Sequence, residues 1–214
     1  MKTLIHTSFA LAMLAGLGLA GCANPADQTP SAVVSDVAPA ADAAPDAAPA
    51  AEGTTYTIAP ASTISFIGSK VTGSHDGGFN QFAGTVTVPG EDLTQASIEV
   101  TIDMTSVWSD ADGLTRHLLS ADFFEVETYP ESRFVSTAIA KEGDAYTVTG
   151  DFTLHGVTKS IAFPANLSLA GDKVTASAEF DINRKNFEIV YPGKPDDLIR
   201  DEVVIKLNIE ATAS

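Results

Sequence analysis

The chain of 214 residues carries 12 Lys and Arg side chains against 28 Asp and Glu, a formal net charge of −16. A surface this acidic repels phosphate backbones and anionic headgroups, so nucleic acid is not an expected partner. The scarcity of basic residues also means that attachment to a membrane cannot come from a polybasic segment.

The first 22 residues have the pattern of an export signal. Lys2 is followed by an uncharged apolar run, Phe9 to Leu19, which as a helix would span about 16 Å and is too short to cross a bilayer. The run ends in Leu19-Ala20-Gly21-Cys22, which resembles the lipobox of bacterial lipoproteins. We therefore predict a lipoprotein signal peptide over residues 1–22, with lipidation of Cys22. The alternative is an ordinary signal peptide with a coincidental cysteine.

This signal sets the expected location. Lipid on Cys22 would attach the chain to a membrane of the bacterial cell envelope through acyl chains, facing the periplasm. Ala23, rather than an aspartate, follows Cys22. By resemblance to known lipoprotein sorting, this favours the outer membrane over the inner one.

Residues 23–53 are dominated by Ala, Pro and Asp and contain neither an aromatic nor a basic residue. Such a segment cannot bury enough apolar surface to offset the entropy lost on ordering, so we predict a disordered linker over 23–53. A coil of this length averages about 30 Å end to end and would not fix the orientation of the rest of the chain. Residues 54–214 are enough for one domain with a sizeable core.

Alternation of apolar and polar residues recurs through residues 54–214 and predicts antiparallel strands. Between residues 96 and 105, for example, Ile98, Val100 and Ile102 alternate with polar side chains. Eight such runs are expected, the first joined by the short piece Tyr56 to Ile58, with glycine turns between several of them. The predicted strands are 63–71, 79–88, 96–105, 132–140, 145–154, 159–169, 173–183 and 201–211.

One short helix interrupts the predicted strands. Residues 112–119 carry apolar side chains at helical spacing, and Asp112 is placed to cap the helix N-terminus. No long helical pattern separates the strands, so parallel βαβ units are disfavoured. The expected fold is all-β: an up-and-down antiparallel eight-stranded β-barrel, lipocalin-like, with the helix capping one end. Eight strands enclose an interior that side chains can fill or that can hold one small ligand.

Three separated motifs in this region resemble the YceI-like family. The first comprises His117-Leu118, Ser120 to Val126, Tyr129-Pro130 and Phe134; the second is GDFTLHGVTK, residues 150–159; the third is NRKNFEI, residues 183–189. The similarity covers nearly all of residues 55–212, and Glu188 departs from it where glycine is common. The resemblance implies an extended barrel that holds a polyisoprenoid or quinone-like chain in an apolar tunnel, in proteins that are often periplasmic.

This resemblance gives the leading hypothesis for function: non-catalytic binding of an isoprenoid lipid or quinone-like amphiphile, which the barrel would sequester or transport. An isoprenoid chain has no hydrogen-bonding groups, so its binding needs buried apolar area. The alternative is a solid-cored structural or interaction barrel in which the same side chains pack on one another. The candidates for the tunnel lining are Ile64, Phe66, Phe82, Val86, Val100, Ile102, Phe134, Phe152, Phe163, Phe180 and Leu207.

Basic residues are scarce in this acidic domain, and three of them are candidates for contact with a ligand headgroup. Arg116, His117 and Arg184 carry donors of the kind that a headgroup at a tunnel mouth would need. The alternative is that such residues pair with local carboxylates. His75 lies in a Gly/Ser-rich stretch that we predict to be a loop.

The motifs of common enzymes and metal sites do not occur in the sequence. We find no HExxH, CxxC, GxSxG or Walker-type motif, and we expect neither a metal nor a cofactor. A triad of Ser120, His117 and Asp122 keeps an enzyme acting on a bound lipid as a weaker alternative. That alternative requires His117 or His155 to point into the cavity beside a carboxylate. The oligomeric state is left open.

Overall fold

The computed structural model describes residues 24–37 and 53–214. The predicted signal peptide with Cys22, and residues 38–52 of the predicted linker, lie outside the described residues. Within the described ranges the chain forms one α-helix, α1 (Asp112–Leu118), together with fourteen strands and several short 3-10 turns. The strands are β1 (Val33–Asp36), β2 (Thr54–Ile58), β3 (Thr63–Lys70), β4 (Gly73–Phe79), β5 (Phe82–Val88), β6 (Ser97–Asp103), β7 (Val107–Ser109), β8 (Glu131–Glu142), β9 (Ala145–Leu154), β10 (Val157–Ala170), β11 (Lys173–Asn183), β12 (Gly193–Lys194), β13 (Asp197–Leu198) and β14 (Glu202–Ala213).

Eight of these strands pair in a closed ring. The order is β2, β5, β6, β8, β9, β10, β11, β14 and back to β2, and every neighbouring pair is antiparallel. Closure leaves no exposed sheet edge around the ring, which is how antiparallel barrels avoid unpaired backbone groups. The predicted all-β, antiparallel eight-stranded barrel is confirmed.

Three long strands of the barrel are bent. β2 and β3 both pair with β14 and form one strand broken at residues 59–62. β4 continues into β5 across Asn80-Gln81, and β6 continues into β7 across the 3-10 turn Met104–Ser106. The Gln81 amide donates to Ser106 Oγ at 2.9 Å, which ties the second and third bends together. Beyond the bends β3, β4 and β7 pair side by side and lengthen the barrel at this end.

Helix α1 covers the same end of the barrel, as predicted. Its N-cap residue is Ala111, so Asp112 lies in the first turn and is not the cap that we expected. The Leu118 side chain is buried and faces the interior. In the part of the chain that the structure describes, no helix combines the length and the apolar character needed to span a membrane.

The ring closes between β10 and β11 through a short ladder. Residues 166–170 pair directly with residues 173–177. Further along the same two strands, β1 pairs with residues 159–162 of β10, and the Ala32 amide donates to the Asp181 carbonyl of β11 at 2.8 Å. The N-terminal segment therefore fills the gap between β10 and β11 at that level of the barrel.

We call this segment, residues 24–37, the N-terminal strap. Buried Asp181 fixes it with side-chain hydrogen bonds, accepting from Ser31 Oγ at 2.9 Å and from Thr29 Oγ1 at 3.4 Å. The prediction of a disordered linker over 23–53 is therefore wrong for residues 24–37. The barrel supplies the hydrogen-bonding partners and the apolar contacts that the strap cannot supply for itself.

Candidate ligand-binding cavity

The interior of the barrel contains a cavity of about 150 Å³ enclosed almost wholly by apolar side chains. Alternation along the strands explains the lining, because every second residue of each barrel strand points inward. Nine of the residues predicted to line a tunnel lie around this cavity: Ile64, Val86, Val100, Ile102, Phe134, Phe152, Phe163, Phe180 and Leu207.

The sequence reasoning missed a further set of residues around the same cavity. Most of them lie on the inward face of strands whose other inward residues were predicted, so the same alternation would have found them. Ser177 is the one polar residue in the set. The additional residues are Ile58, Phe79, Ile98, Val148, Ile161, Ala165, Leu167, Ala176, Ser177, Ala178, Ile182, Ile205 and Ile209.

A second cavity, of about 120 Å³, lies toward the end of the barrel that α1 covers. Phe66, the tenth predicted lining residue, borders this one, as do the helix residue Leu118 and the neighbouring Phe123 and Phe124. The two cavities adjoin, because five residues border both of them: Phe79, Ile102, Phe152, Ile182 and Ile205.

Aromatic rings narrow the interior without filling it. Phe163 and Phe180 stack with ring centroids 4.2 Å apart, and Phe66 meets Phe79 and Phe124 at 5.8 and 6.5 Å. An apolar cavity of about 150 Å³ in another protein stays dry and binds benzene, so each cavity here suits a short piece of hydrocarbon. The barrel is therefore hollow in two adjoining places, which argues against the solid-cored alternative.

Phe82 is the exception among the predicted lining residues. It borders neither cavity and is only partly buried against the core. Phe82 is the first residue of β5, directly after the bend at Asn80-Gln81 that the sequence did not reveal. Phe82 pairs with Ile102, which borders both cavities, so it shares the inward face that alternation predicts. Phe79, on the other side of the bend, borders both cavities itself.

Arg184 is the one predicted headgroup residue that reaches the interior, where it borders the second cavity. Its guanidinium donates to the Ile189 carbonyl at 2.6 Å, to the Arg200 carbonyl at 3.1 Å and to Asp201 Oδ1 at 3.4 Å. Burial lowers the pKa of the Arg184 guanidinium, and the charge of Asp201 opposes that shift. These bonds fix Arg184 as a buried support at the end of the second cavity.

Arg116 and His117 do not border either cavity. Arg116 is exposed on α1. His117 Nε2 lies 2.8 Å from Asp122 Oδ2, and its ring packs edge-on against Phe123 and Tyr191. Arg116 therefore faces water, and the His117 ring is held by Asp122 and the two neighbouring aromatic rings.

The catalytic triad considered from the sequence does not form. Ser120 Oγ donates to the His117 carbonyl at 2.7 Å and accepts from the Asp122 amide at 3.4 Å, so its hydroxyl takes part in backbone hydrogen bonds of a turn. The His117 ring meets Asp122 but not the serine hydroxyl. A nucleophile needs its base within hydrogen-bond reach, and this arrangement does not provide one.

His155 lies in the turn between β9 and β10 and also stays outside the cavities. His155 and Gly156 have φ of +52° and +73°, the pattern of a two-residue type I′ hairpin. The His155 Nδ1 atom lies 3.2 Å from the Phe187 carbonyl, and Nε2 lies 3.6 Å from Glu125 Oε2. Across residues 24–37 and 53–214, no three His, Cys, Asp or Glu side chains come together as metal ligands would.

The fold and the interior together define a class of protein: a closed antiparallel barrel with an apolar cavity, as in lipocalins. The family model of the YceI-like domain matches residues 56–211. The chain belongs to the YceI-like family, which confirms the resemblance seen in its motifs.

Relatives and solved structures agree with this family. The chain is 36% identical over 124 residues to a UPF0312 protein of Pseudomonas putida (strain W619) and 38% identical over 119 residues to Protein YceI of Escherichia coli O6:H1. These alignments cover 55% and 53% of the chain and 65% and 62% of the relatives, so the match spans a little under two thirds of their length.

Two solved structures resemble the whole barrel. BcnA of Burkholderia cenocepacia matches with a TM-score of 0.64 and 30% identity, over 71% of this chain and 96% of that one. A polyisoprenoid binding domain from Saccharophagus degradans, implicated in plant cell wall breakdown, matches with a TM-score of 0.63 over 76% of this chain and 100% of that one. Its identity is 18%, so this second likeness shows the fold.

Proposed function

We propose that the barrel binds the hydrocarbon tail of an isoprenoid lipid or quinone-like amphiphile and sequesters or transports it without chemical change. The observation that carries the proposal is the pair of adjoining apolar cavities inside a closed barrel. The polyisoprenoid-binding domain with the same fold supports the choice of ligand class.

The polar side chains around the second cavity are few and already hydrogen-bonded. Ser69, Ser132 and Arg184 are the polar side chains among its lining residues. Ser132 Oγ donates to the Thr153 carbonyl at 2.7 Å, and Ser69 Oγ donates to Asn24 Oδ1 at 3.4 Å. A ligand that offers no hydrogen-bonding groups along its length matches this interior, because a polar one would lose its water without finding partners.

The length of the tail follows from the energy of burial. Each buried CH₂-sized group contributes about 0.8 kcal/mol, so one isoprene unit of five carbons contributes about 4 kcal/mol. Association costs about 4–15 kcal/mol, so about two to four units are needed before binding is favourable. Such a tail has to occupy both cavities, and the rings that border both, Phe79 and Phe152, have to move aside for it.

The proposal includes a place in the cell. We infer that Cys22 carries lipid and holds the barrel on a membrane of the bacterial envelope, facing the periplasm and with the outer membrane favoured. The apolar run before Cys22 and the residues Leu19-Ala20-Gly21-Cys22 support this inference. Mass spectrometry of the N-terminal peptide tests it: acyl chains on Cys22 support lipidation, and an unmodified Cys22 contradicts it.

Native mass spectrometry tests the binding function. Ala178 borders the first cavity, so Ala178→Phe would place a ring in the space that the tail needs. Ala83, exposed on β5, offers a matched control in Ala83→Phe, which adds the same ring outside the barrel. We expect wild type and A83F to take up a prenylquinone or a polyprenyl phosphate and A178F to lose the adduct.

Two outcomes would contradict the binding function. One is a wild-type protein that takes up neither prenylquinones nor polyprenyl phosphates. The other is an A178F variant that is folded and binds as well as wild type, because a ligand unaffected by that ring is not in the cavity. Circular dichroism and thermal unfolding of A178F establish that the variant is folded.

A further inference from the structure

Three exposed apolar residues lie together at the end of the barrel that holds the second cavity. Val71, Val190 and Leu198 are 55%, 61% and 49% exposed. The Val71 amide donates to the Leu198 carbonyl at 3.1 Å, which joins the turn after β3 to the β12–β13 hairpin. The Ile199 amide donates to the Pro192 carbonyl at 3.0 Å, which draws the segment after Val190 to the same place. We call these three residues the apolar rim.

The apolar rim adjoins the second cavity. Ile189 and Ile199, the neighbours of Val190 and Leu198 in the chain, both border that cavity. Ser69, two residues before Val71, borders it as well. An exposed apolar rim leaves hydrocarbon in water unless another surface covers it.

The N-terminal strap enters the structure at this same end. Asn24 is 9% exposed and its side-chain oxygen accepts from Ser69 Oγ at 3.4 Å. Ala26, also buried, belongs to a 3-10 turn that contacts β14, and the outward-facing Val204 of β14 is 1% exposed. The first turn of the strap is therefore packed on the outer wall of the barrel, within two residues of the apolar rim along β3.

Because Asn24 is packed near the apolar rim, Cys22, the proposed anchor, must also lie near the rim. Cys22 precedes Asn24 by two residues, and two residues span at most about 7 Å. Acyl chains on Cys22 would therefore hold the apolar rim against the bilayer surface, whereas a coil over the whole of 23–53 would leave the orientation free.

Charge beside the rim is partly paired, because Glu188 and Asp196 are exposed but Asp197 has a cationic partner. Lys70, next to Val71 in the chain, forms an ion pair with Asp197, next to Leu198. The pair neutralises the carboxylate nearest the rim. The three apolar side chains would bind by burying hydrocarbon in the interfacial region of a bilayer without net charge.

We propose that the apolar rim of Val71, Val190 and Leu198 docks on the lipid bilayer beside the anchored Cys22, so that the second cavity opens toward the membrane that supplies the tail. The inference rests on the proposed lipidation of Cys22 and deepens the proposed binding function by naming the surface through which the ligand enters. Its partner is the lipid surface of the bilayer.

Spin labels on the full-length, lipidated protein in phosphatidylcholine vesicles test the orientation. Val71→Cys places a nitroxide on the rim. Asp144→Cys places one in the turn between β8 and β9, at the opposite end of β9 from His155 and Phe187. We expect the label at 71 to be several-fold more accessible to oxygen than to a water-soluble nickel chelate, and the label at 144 to show the reverse. Equal access of the chelate to both labels would overturn the proposal.

Transfer kinetics test whether the rim is the entry surface. The double variant Val71→Asp with Leu198→Asp puts charges on the rim, and Val33→Asp puts one on an exposed valine of the strap. We expect the double variant to take up a prenylquinone from phosphatidylcholine vesicles several-fold more slowly than wild type or V33D, with unchanged affinity for the quinone in detergent. Equal uptake rates for all three proteins would contradict entry at the rim.

The two proposals fail separately. If no protein binds the quinone in detergent, the binding function fails, while the spin labels still decide the orientation. If wild type binds in detergent but the label at 71 stays in water, the docking surface fails and the binding function stands.

Discussion

Glu188 has a left-handed backbone conformation, with φ +60° and ψ +17°, at the end of the 3-10 turn Arg184–Phe187. For a residue with a Cβ this conformation costs about 1–2 kcal/mol, and glycine avoids that cost. The preference explains why glycine is common here in the family that the motif resembles. The Glu188 side chain is exposed and borders neither cavity, so this departure does not place a charge in the interior.

Glu188→Gly is expected to leave the protein unchanged or to raise its free energy of unfolding by up to about 1 kcal/mol. The variant removes the Cβ strain but adds backbone freedom to the unfolded chain, which offsets part of the gain. Urea unfolding measures the difference. Glu188→Ala is the control, because alanine keeps the Cβ and should bring no relief. A glycine variant that is less stable than the alanine variant would contradict the strain argument.

At the residue scale, the sequence predicted which side chains face the barrel interior better than it predicted which of them border a cavity. Alternation identified most of the inward-facing residues, since burial on one face of a strand repeats every second residue. Alternation placed Phe82 on the face of Ile102, its partner on β6, but did not reveal that Phe82 borders neither cavity. On α1, a helix of two turns, the sequence pattern did not distinguish Leu118, which borders the second cavity, from Arg116 and His117, which border neither cavity.

Among the elements, the N-terminal strap differs most from expectation. Its composition is that of a linker, and its order comes from partners on other strands. Buried Asp181 accepts from Ser31 and Thr29, and the backbone of the same residue bonds to Pro30 and Ala32. No pattern within residues 24–37 announces these contacts, because they pair the strap with residues about 150 positions away.

Asp181→Ala is expected to loosen the strap. The variant removes the acceptor of two hydroxyl groups, and a hydrogen bond to a charged acceptor contributes about 1.5–3 kcal/mol. Hydrogen exchange should show faster exchange of the Ala32 amide and of the β1 amides in the variant. Asp36→Ala, which removes an exposed partner of Lys159, is the matched control and should change exchange at Ala32 less. Identical exchange in D181A and wild type would show that the side chain does not hold the strap.

Strand β4 was expected to be a loop because its sequence is rich in glycine. The structure uses two of those glycines for close packing. A Cβ on Gly77 would lie 2.3 Å from Phe66 Cζ, and one on Gly78 would lie 2.8 Å from the Ile64 carbonyl oxygen. Glycine in a strand weakens the local signal but permits close approach of neighbouring groups. The glycines that made residues 73–78 look like a loop are therefore needed for close packing within strand β4.

The β12–β13 hairpin is held to the barrel by the ion pair of Asp197 with Lys70. The side-chain hydrogen bond from Lys70, followed by that from Thr72, holds the pKa of Asp197 below its usual value of 3.8. A carboxylate whose folded pKa is lowered stabilises the folded state at pH above 3.8, and this stabilisation is lost as the pH falls through the lowered value. The hairpin should therefore loosen only in acid.

The Val71 amide donates to the Leu198 carbonyl of the hairpin, so its protection from hydrogen exchange measures how firmly the hairpin is held. We expect its hydrogen-exchange protection factor to be constant from neutral pH down to about 4 and to fall below the usual pKa of Asp197. Asp197→Asn should lower the protection at neutral pH and remove the difference from wild type in acid. A difference between the two proteins that persists unchanged in strong acid would contradict the role of the carboxylate.

At the scale of the whole molecule, the sequence was sufficient for the barrel and insufficient for its interior. Strand alternation, turn glycines and one short helix predicted eight antiparallel strands, and the ring of strands confirms them. Hollowness depends on how far inward-facing rings reach across the barrel. Phe163 and Phe180 save space by stacking at 4.2 Å with planes 13° apart, a contact between strands that no local pattern reveals.

The ordered strap also changes how freely the barrel could move relative to the proposed anchor at Cys22. A linker of the predicted length would let the barrel move freely about its anchor. Because the strap is ordered from Asn24 onward, Ala23 is the one residue between it and Cys22 in the sequence. With the proposed lipid on Cys22, the anchor and the second cavity lie at the same end of the molecule.

The central claim is that an isoprenoid tail lies inside the barrel, and contacts between ligand protons and protein methyl groups test it most directly. With ¹³C-labelled Ile, Leu and Val methyls and an unlabelled prenylquinone, intermolecular nuclear Overhauser effects should reach interior residues such as Ile64, Val100 and Leu207. Exposed Val33 should show none. A bound quinone whose contacts fall on exposed valines and never on the interior methyls would contradict the account.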